Sequence, residues 1–249
     1  MLLPIKTTMY QTFIKPFYQD IKTFFLDTLF PISCLSCGDE GAFICVDCKV
    51  TIKALEHQRC IVCQHQAPFG LTHPGCQTPH GADGLVSFYD YHDDKVSQIL
   101  IKGKYSFIPG TYDVLGKIIA EKIKNDHQHL LSPSISNLAP IPLHPSRKRW
   151  RGFNQAEVLC QTLSAELNLP IADVLQRDKM TKTQKDLKKE QRLKNVSDAF
   201  KLKPNANVHG KNIILIDDVT TTGATLQEAA KILKRNGSAK VICLTVARD

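Results

Sequence analysis

A buried strand that ends in two adjacent acids and a threonine-rich turn constrains the fold of this chain more than any other feature. Residues 212–226 read NIILIDDVTTTGATL, so four branched apolar residues precede Asp217 and Asp218. This run predicts a central strand of a parallel sheet, because strands covered on both faces are apolar throughout. The acids then emerge at the carboxyl edge, where open α/β sheets bind their ligands.

The turn after the acids has the chemistry of an anion site. It offers hydroxyls, exposed amides and the permissive Gly223, and it opens a predicted helix whose positive end favours a phosphate. It is not a Walker loop, because the spacing differs and no Gly-Lys-Ser/Thr follows. Carboxylates beside a phosphate site suggest a sugar phosphate, with the acids holding ring hydroxyls or a Mg²⁺ shell. An ordinary strand–turn–helix connection with solvent-exposed acids is the alternative. The predicted binding residues are Thr220, Thr221, Thr222, Gly223, Ala224 and Thr225.

The rest of the larger, later part of the chain alternates between strand and helix signals. Apolar residues at helical spacing and short apolar runs follow one another, and this order predicts a parallel sheet with helices on both faces. The predicted strands are 84–91, 136–143 and 240–246, and the predicted helices include 111–125, 154–167 and 224–235.

Seven of the nine cysteines lie between residues 34 and 76. Cys34, Cys37, Cys45 and Cys48 form two CxxC turns, and two such turns complete the tetrahedron that Zn²⁺ accepts. No secretory signal is evident, so we expect a cytoplasmic chain in which paired cysteines bind metal rather than form disulfides. Redox-active dithiols are the alternative.

A second group of cysteines is less complete. Cys60, Cys63 and Cys76 supply three thiolates, and the spacing Cys76-x₃-His80 makes His80 the predicted fourth ligand, with His73 and His65 as further candidates. The alternative is a decayed site whose cysteines only pack. Both sites are predicted to be structural, because four protein ligands leave no open position.

The net charge of +8 comes mostly from the later chain. Residues 171–210 hold ten basic and five acidic side chains, whereas residues 34–90 hold three basic and six acidic ones. A basic segment can neutralise nucleic-acid phosphates, and the candidate contacts are Lys185, Lys188 and Arg192. A solvated loop without a partner is the alternative. The stretch 21–32 is too short to span a bilayer, so an integral membrane protein is not expected.

Several motifs, in their order along the chain, resemble those of a known family. IDDVTTTGAT resembles the phosphoribosyl diphosphate (PRPP) signature of type I phosphoribosyltransferases. The two early CxxC pairs, PIPLH, the run Arg147 to Gln155 (RKRWRGFNQ) and the basic segment with Gln184 and RLKN at 192–195 together resemble the competence protein F (ComF) family. The resemblance extends from about residue 29 to the carboxyl terminus, although many relatives close the second zinc ribbon with another CxxC.

The resemblance implies a function for each motif. Asp217 and Asp218 would contact the ribose 2- and 3-hydroxyls, and the 5-phosphate would lie on 221–225. A loop after Leu143 would bring Arg147, Arg149 or Arg151 to the pyrophosphate, which Mg²⁺ would neutralise. Asn154 could instead simply cap the following helix. The resemblance also offers another function for the basic segment 177–203, which would form a hood over the phosphate site.

Two functions therefore remain open. The first is an accessory that binds PRPP and acts with the DNA-uptake machinery on single-stranded transforming DNA. The second is an active, Mg²⁺-dependent phosphoribosyltransferase of nucleotide metabolism with no DNA role. The expected organisation is an amino-terminal extension (1–28), a zinc-ribbon module (29–82) and a phosphoribosyltransferase-like domain (83–249).

Overall fold

A computed structural model describes residues 31–131, 137–178 and 198–249 of the chain. Four parallel strands form its main sheet in the order β1-β6-β5-β2, and β3 and β4 form a separate antiparallel pair. The strands are β1 (Gly84–Asp90), β2 (Asn137–Pro140), β3 (Leu175–Arg177), β4 (Phe200–Leu202), β5 (Asn212–Thr220) and β6 (Lys240–Arg248).

Helices cover both faces of this sheet, as the alternating sequence pattern predicts. The helices are α1 (Val46–Thr51), α2 (Asp94–Tyr105), α3 (Gly110–Asp126), α4 (Pro145–Arg151), α5 (Gln155–Leu167) and α6 (Ala224–Arg235), with 3₁₀ turns at Pro68–Gly70, Pro74–Cys76 and Gln128–Leu131. One apolar core lies between the sheet and α2, α3 and α5, and the other lies between the sheet, α6 and the β3–β4 pair.

The cysteine-rich module covers the edge of the sheet at β1. Ala54 bridges to Tyr89 and Leu71 bridges to Gly84, both in antiparallel geometry. The side-chain amide of Gln58 donates to the Ser87 carbonyl at 2.8 Å and accepts from the Ser87 amide at 2.9 Å. The module thus satisfies backbone groups that an edge strand would otherwise expose.

The module also contributes to both cores of the larger domain. Cys34 and Cys48 belong to the core on the α3 face, and Ile61 belongs to the core on the α6 face. The predicted division between residues 82 and 83 stays a proposal, because the two units share their apolar interior.

The structure differs from the sequence prediction at three elements. Strand β2 ends at Pro140, three residues before the predicted end, because Pro142 has no amide hydrogen to donate. Strand β5 runs through the acids to Thr220 instead of ending at them. The polar stretch 177–205 contains β4 and the end of β3, which its weak apolar pattern did not indicate.

Within the described ranges, no helix has the length and apolar character needed to cross a bilayer. The predicted extension 1–28 and the start of the predicted strand 136–143 lie outside the described residues.

Candidate functional site

The two acids lie on opposite faces of the sheet, because β5 continues through them and side chains alternate along a strand. Ile214 and Ile216 pack into the core on the α3 face, so Asp218 shares their side. Ile213 and Leu215 pack into the core on the α6 face, so Asp217 shares theirs. The pair is therefore one carboxylate above the sheet and one below it.

Asp218 is held by a cation and a phenol from the neighbouring helices. The Nζ of Lys104, near the end of α2, lies 2.7 Å from its Oδ2. The hydroxyl of Tyr112 in α3 donates to the same oxygen at 3.4 Å. Burial and the nearby Asp218 charge raise the pKa of Tyr112, so this hydroxyl remains a donor. These two contacts fix the orientation of the Asp218 side chain.

Asp217 lies in a polar row across three strands on the other face. It is in register with Thr245, which is in register with Ser87, and the two hydroxyl oxygens of that pair are 2.8 Å apart. Burial, followed by the charge of Asp218, raises the pKa of Asp217 to about 7. Arg177 on β3 opposes this increase. Asp217 can therefore exchange a proton near neutral pH, which makes it the most responsive group of the site.

The turn between β5 and α6 has the backbone geometry that an anion site needs. Gly223 precedes the first residue of α6 with φ 77°, in the left-handed region that favours glycine. The Thr222 hydroxyl accepts from the Ala224 amide at 3.4 Å. Thr221 and Thr225 are partly exposed, whereas Thr220 is buried at the end of the strand. The structure thus places the predicted turn residues together at the amino end of α6.

The second cysteine knuckle packs directly against this turn. A Cβ placed on Gly223 would lie 2.8 Å from Cγ1 of Ile61, which sits between Cys60 and Cys63. The Arg248 guanidinium, at the end of β6, donates to the Cys60 carbonyl at 3.2 Å and to the Arg59 carbonyl at 2.8 Å. The second cysteine group is therefore in direct contact with the turn before α6 and with the end of β6.

Replacing Gly223 with alanine is expected to destabilise the protein more than the same change at Gly210. Both glycines have φ near +70°, but nothing lies within 4 Å of a Cβ at Gly210. The Gly210→Ala change then costs about 1–2 kcal/mol for left-handed backbone, and Gly223→Ala adds a steric cost of about 1–3 kcal/mol. Chemical denaturation of both variants, and of Gly223→Ala with Ile61→Ala, measures the difference. Equal losses in the two single variants would contradict the contact.

The predicted pyrophosphate arginines lie on a short helix instead of a loop. His144 caps α4, and its Nδ1 accepts from the Ser146 amide at 3.3 Å. Burial, followed by Arg151, lowers the pKa of Arg147, whereas Arg149 is exposed. Asn154 caps α5 by accepting from the Ala156 amide at 3.1 Å, as its predicted capping role requires.

Arg177 is a site residue that the motif analysis did not name. It is 8% exposed, and its guanidinium lies over the Phe200 ring, 5.2 Å from the centroid. Burial and then Arg147 lower its pKa, while Asp217 raises it. Arg177 is thus a buried arginine near Asp217, and the partly buried Arg147 lies near Arg177.

The first four cysteines converge as predicted. Their sulfur atoms all lie within 4.8 Å of one another, and Sγ of Cys37 lies 3.5 Å from that of Cys45. Burial raises the pKa of Cys34, but hydrogen bonds from backbone amides and from the Cys37 side chain together outweigh it and lower that pKa to about 6. Gly38 and Gly41 have φ of 92° and 107°, as the knuckle turns require. A tetrahedral thiolate set of this kind fits a metal ion such as zinc.

The second group gathers a different histidine from the one predicted. His73 joins Cys60, Cys63 and Cys76, and its Nδ1 lies 3.2 Å from Sγ of Cys63. Its Nε2 lies 3.0 Å from the Gln66 carbonyl, a partner that fixes the ring and leaves Nδ1 for a metal. His80 instead lines a surface groove with residues of α6. Sequence spacing favoured His80 because the chain reversal that brings His73 back to the knuckle is a tertiary feature.

The nucleic-acid candidates Lys185, Lys188 and Arg192 lie outside the described residues. The flanking strands β3 and β4 pair with each other, so both ends of that segment start from one place beside Asp217 and Arg177.

The domain that holds this site has a known class. A model of the phosphoribosyl transferase domain matches residues 154–249, which include both acids, the turn and α6. Together with the parallel sheet and its two helical layers, this match defines a phosphoribosyltransferase-type α/β domain preceded by a cysteine-rich module.

Curated relatives place the whole chain in one family. The DNA utilization protein YhgH of Salmonella typhi is 30% identical over 200 residues, covering 78% of this chain and 86% of that protein. Competence protein F of Haemophilus influenzae is 29% identical, covering 82% of this chain and 90% of that protein. Competence protein ComFC of Bacillus subtilis is 29% identical, and the match covers 83% of this chain and 84% of that protein. The chain belongs to the competence protein F family.

Proposed function

We propose that this protein acts in the uptake and processing of transforming DNA and that its phosphoribosyltransferase-type domain binds Mg²⁺·PRPP. The relatives named competence protein F and DNA utilization protein support the first part. The observation that carries the second part is the order of groups at one sheet edge: Asp217 and Asp218, then a turn with a left-handed glycine, then the amino end of α6.

Each part of PRPP has a chemically suited partner in this proposal. The 5-phosphate binds the amides and hydroxyls of the turn 221–225, at the positive end of α6. The ribose hydroxyls donate to Asp217, which lies on the face of the sheet that holds Arg177, while Asp218, oriented by Lys104, lies on the opposite face. The pyrophosphate, carrying Mg²⁺, faces the arginines of the site, among which Arg147 and Arg177 are the most buried.

The two cysteine groups are proposed to bind one structural zinc ion each. Cys34, Cys37, Cys45 and Cys48 form the first site, and Cys60, Cys63, His73 and Cys76 form the second. Four protein ligands in each site leave no position for a substrate, so zinc supplies stability rather than catalysis. The contact between Ile61 and Gly223 lets the second site support the phosphate turn.

Calorimetric titration with PRPP and Mg²⁺ tests the pocket. The wild-type protein is expected to bind PRPP, and the Asp217→Asn/Asp218→Asn variant is expected to lose that binding while keeping its zinc. Ribose 5-phosphate, which lacks the pyrophosphate, should bind more weakly. If the wild type and the variant both ignore PRPP, the pocket proposal fails.

Two further assays separate the DNA-associated function from nucleotide metabolism. Binding of single-stranded DNA that weakens steeply as salt increases supports the DNA part, because phosphate neutralisation releases counterions. Pyrophosphate release from PRPP on addition of free nucleobases, without any DNA binding, would instead support the metabolic transferase.

A further inference from the structure

An exposed aromatic cluster lies where helices α2 and α4 meet, and of its three rings only Trp150 belongs to a motif considered so far, the run 147–155. Four exposed aromatic side chains occur among the large apolar residues of the described ranges, and three of them are neighbours. Trp150 is 58% exposed, Phe107 48% and Tyr105 45%. Single exposed apolar residues are common, but adjacent exposed rings mark an interaction surface.

The three rings form one connected surface. The Phe107 and Trp150 ring centroids are 5.4 Å apart with planes at 65°, and the Tyr105 and Trp150 centroids are 6.2 Å apart at 66°. Edge contacts of this kind leave ring faces uncovered by their partners. Phe107 has φ 58°, a conformation that costs energy for a bulky residue and that accompanies its outward position.

The two segments that carry this aromatic surface have basic but no acidic side chains. Residues 95–112 and 127–156, which carry it, contain no Asp or Glu. The Arg151 guanidinium lies 5.9 Å from the Tyr105 ring centroid, and Arg149 is exposed beside Trp150. Lys148 is paired with Glu157 at 2.7 Å, and Lys104 with Asp218. Aromatic ring faces next to arginines that form no ion pair among the described residues match a polymer of stackable bases and phosphates, and they do not match a basic or purely apolar partner.

We propose that Tyr105, Phe107 and Trp150 form a stacking surface for the bases of single-stranded DNA, with Arg149 and Arg151 contacting its phosphates. This inference rests on the DNA part of the proposed function and names the surface that performs it. Stacking on aromatic side chains needs unpaired bases and tolerates any sequence, because every base has a π-face. Its residues are different from the sequence-predicted DNA contacts Lys185, Lys188 and Arg192.

The surface carries its own reporter, since Trp150 is the only tryptophan in the chain. Titrating the full chain with an oligothymidylate of about 16 nucleotides, a length at the upper end of typical single-strand site sizes, is expected to quench its fluorescence saturably. Trp150→Ala and Phe107→Ala are each expected to weaken oligonucleotide binding by about tenfold, measured by anisotropy of a labelled strand. Trp150→Phe should retain most of the affinity, since a ring face remains.

Phe69→Ala provides the matched control, because Phe69 is 63% exposed and lies in the cysteine-rich module. It should bind DNA like the wild type. Melting temperatures and PRPP binding of all variants should be unchanged. If the wild type binds single-stranded DNA and the Trp150 and Phe107 variants bind equally well, the stacking surface is wrong and the DNA function stands. If the wild type binds no DNA, the DNA function itself fails. Equal quenching of Trp150 fluorescence by duplex DNA or by free thymidine would show that the surface is not specific for single-stranded DNA and would overturn the proposal.

Discussion

Replacing Cys34 and Cys48 together with serine is expected to remove one zinc equivalent and to lower the melting temperature by about 10 °C or more. Both side chains are buried, at 2% and 3% exposure, in the same core as Tyr112 and Ile119 of α3. Loss of the metal therefore loosens that core and the cover on β1. Structural zinc contributes about 10–16 kcal/mol in isolated zinc-finger peptides, and a loss of about 4 kcal/mol already shifts a domain of this size by roughly 8–16 °C.

The second cysteine group should respond differently, because Ile61, which lies between Cys60 and Cys63, packs against Gly223 in the turn before α6. Replacing His73 with alanine is expected to remove the other zinc equivalent and to weaken PRPP binding more than it lowers the melting temperature. His80→Ala is the matched control and should keep two equivalents, since His80 lies away from the sulfur atoms. Elemental zinc analysis and calorimetry check both effects. A folded, metal-free wild-type protein, or zinc loss in the His80 variant alone, would contradict these assignments.

The elements that are local in sequence were predictable from it. The apolar run before Asp217 and the periodicity of 224–235 indicate a strand and a helix, and β5 and α6 confirm both. The CxxC spacing likewise brings the first four sulfur atoms together, because each pair closes within a single turn. The Asn154 cap follows from the same local logic.

The features that were missed depend on which elements meet in space. Two consecutive acids look alike in the sequence, and only the continuation of β5 to Thr220 places them on opposite faces. Lys104 and Arg177 have no motif of their own, and packing of α2 and β3 brings them to the acids. The stacking surface unites residues 105 and 150 across 45 positions, a separation at which side-chain periodicity carries no information.

The raised pKa of Asp217 makes the effect of Asp217→Asn on protein stability depend on pH. The folded-state pKa of Asp217 is about 7, above the ordinary value of 3.8. A carboxyl group whose pKa is higher in the folded than in the unfolded protein contributes its full stability at pH values below the unfolded-state pKa. That contribution is lost as pH rises from about 4 through 7. The asparagine variant avoids this loss, so it should melt at a higher temperature than the wild type at pH 8 and equally at pH 4.

Affinity for Mg²⁺·PRPP should change in the opposite direction. If the ionised carboxylate accepts the ribose hydroxyl, wild-type affinity rises by up to about tenfold per pH unit below 7 and becomes constant above it. Asp217→Asn should remove this dependence together with most of the affinity, so one substitution stabilises the fold and disables the site. Residues that lower the stability of the fold but are needed for ligand binding are common at functional sites.

Asp113→Asn is the matched control for this pH dependence, because Asp113 has the opposite shift. The ammonium of Lys117, 2.9 Å away, lowers the pKa of that carboxyl. Its contribution to stability is present at neutral pH and is lost as pH falls through the lowered folded value. The Asp113 variant should therefore be slightly less stable than the wild type at pH 8, with unchanged PRPP affinity. Thermal melts and calorimetry between pH 4 and 8 separate the two carboxyls, and an Asp217 variant that is destabilised at pH 8 would show that its charge supports the fold.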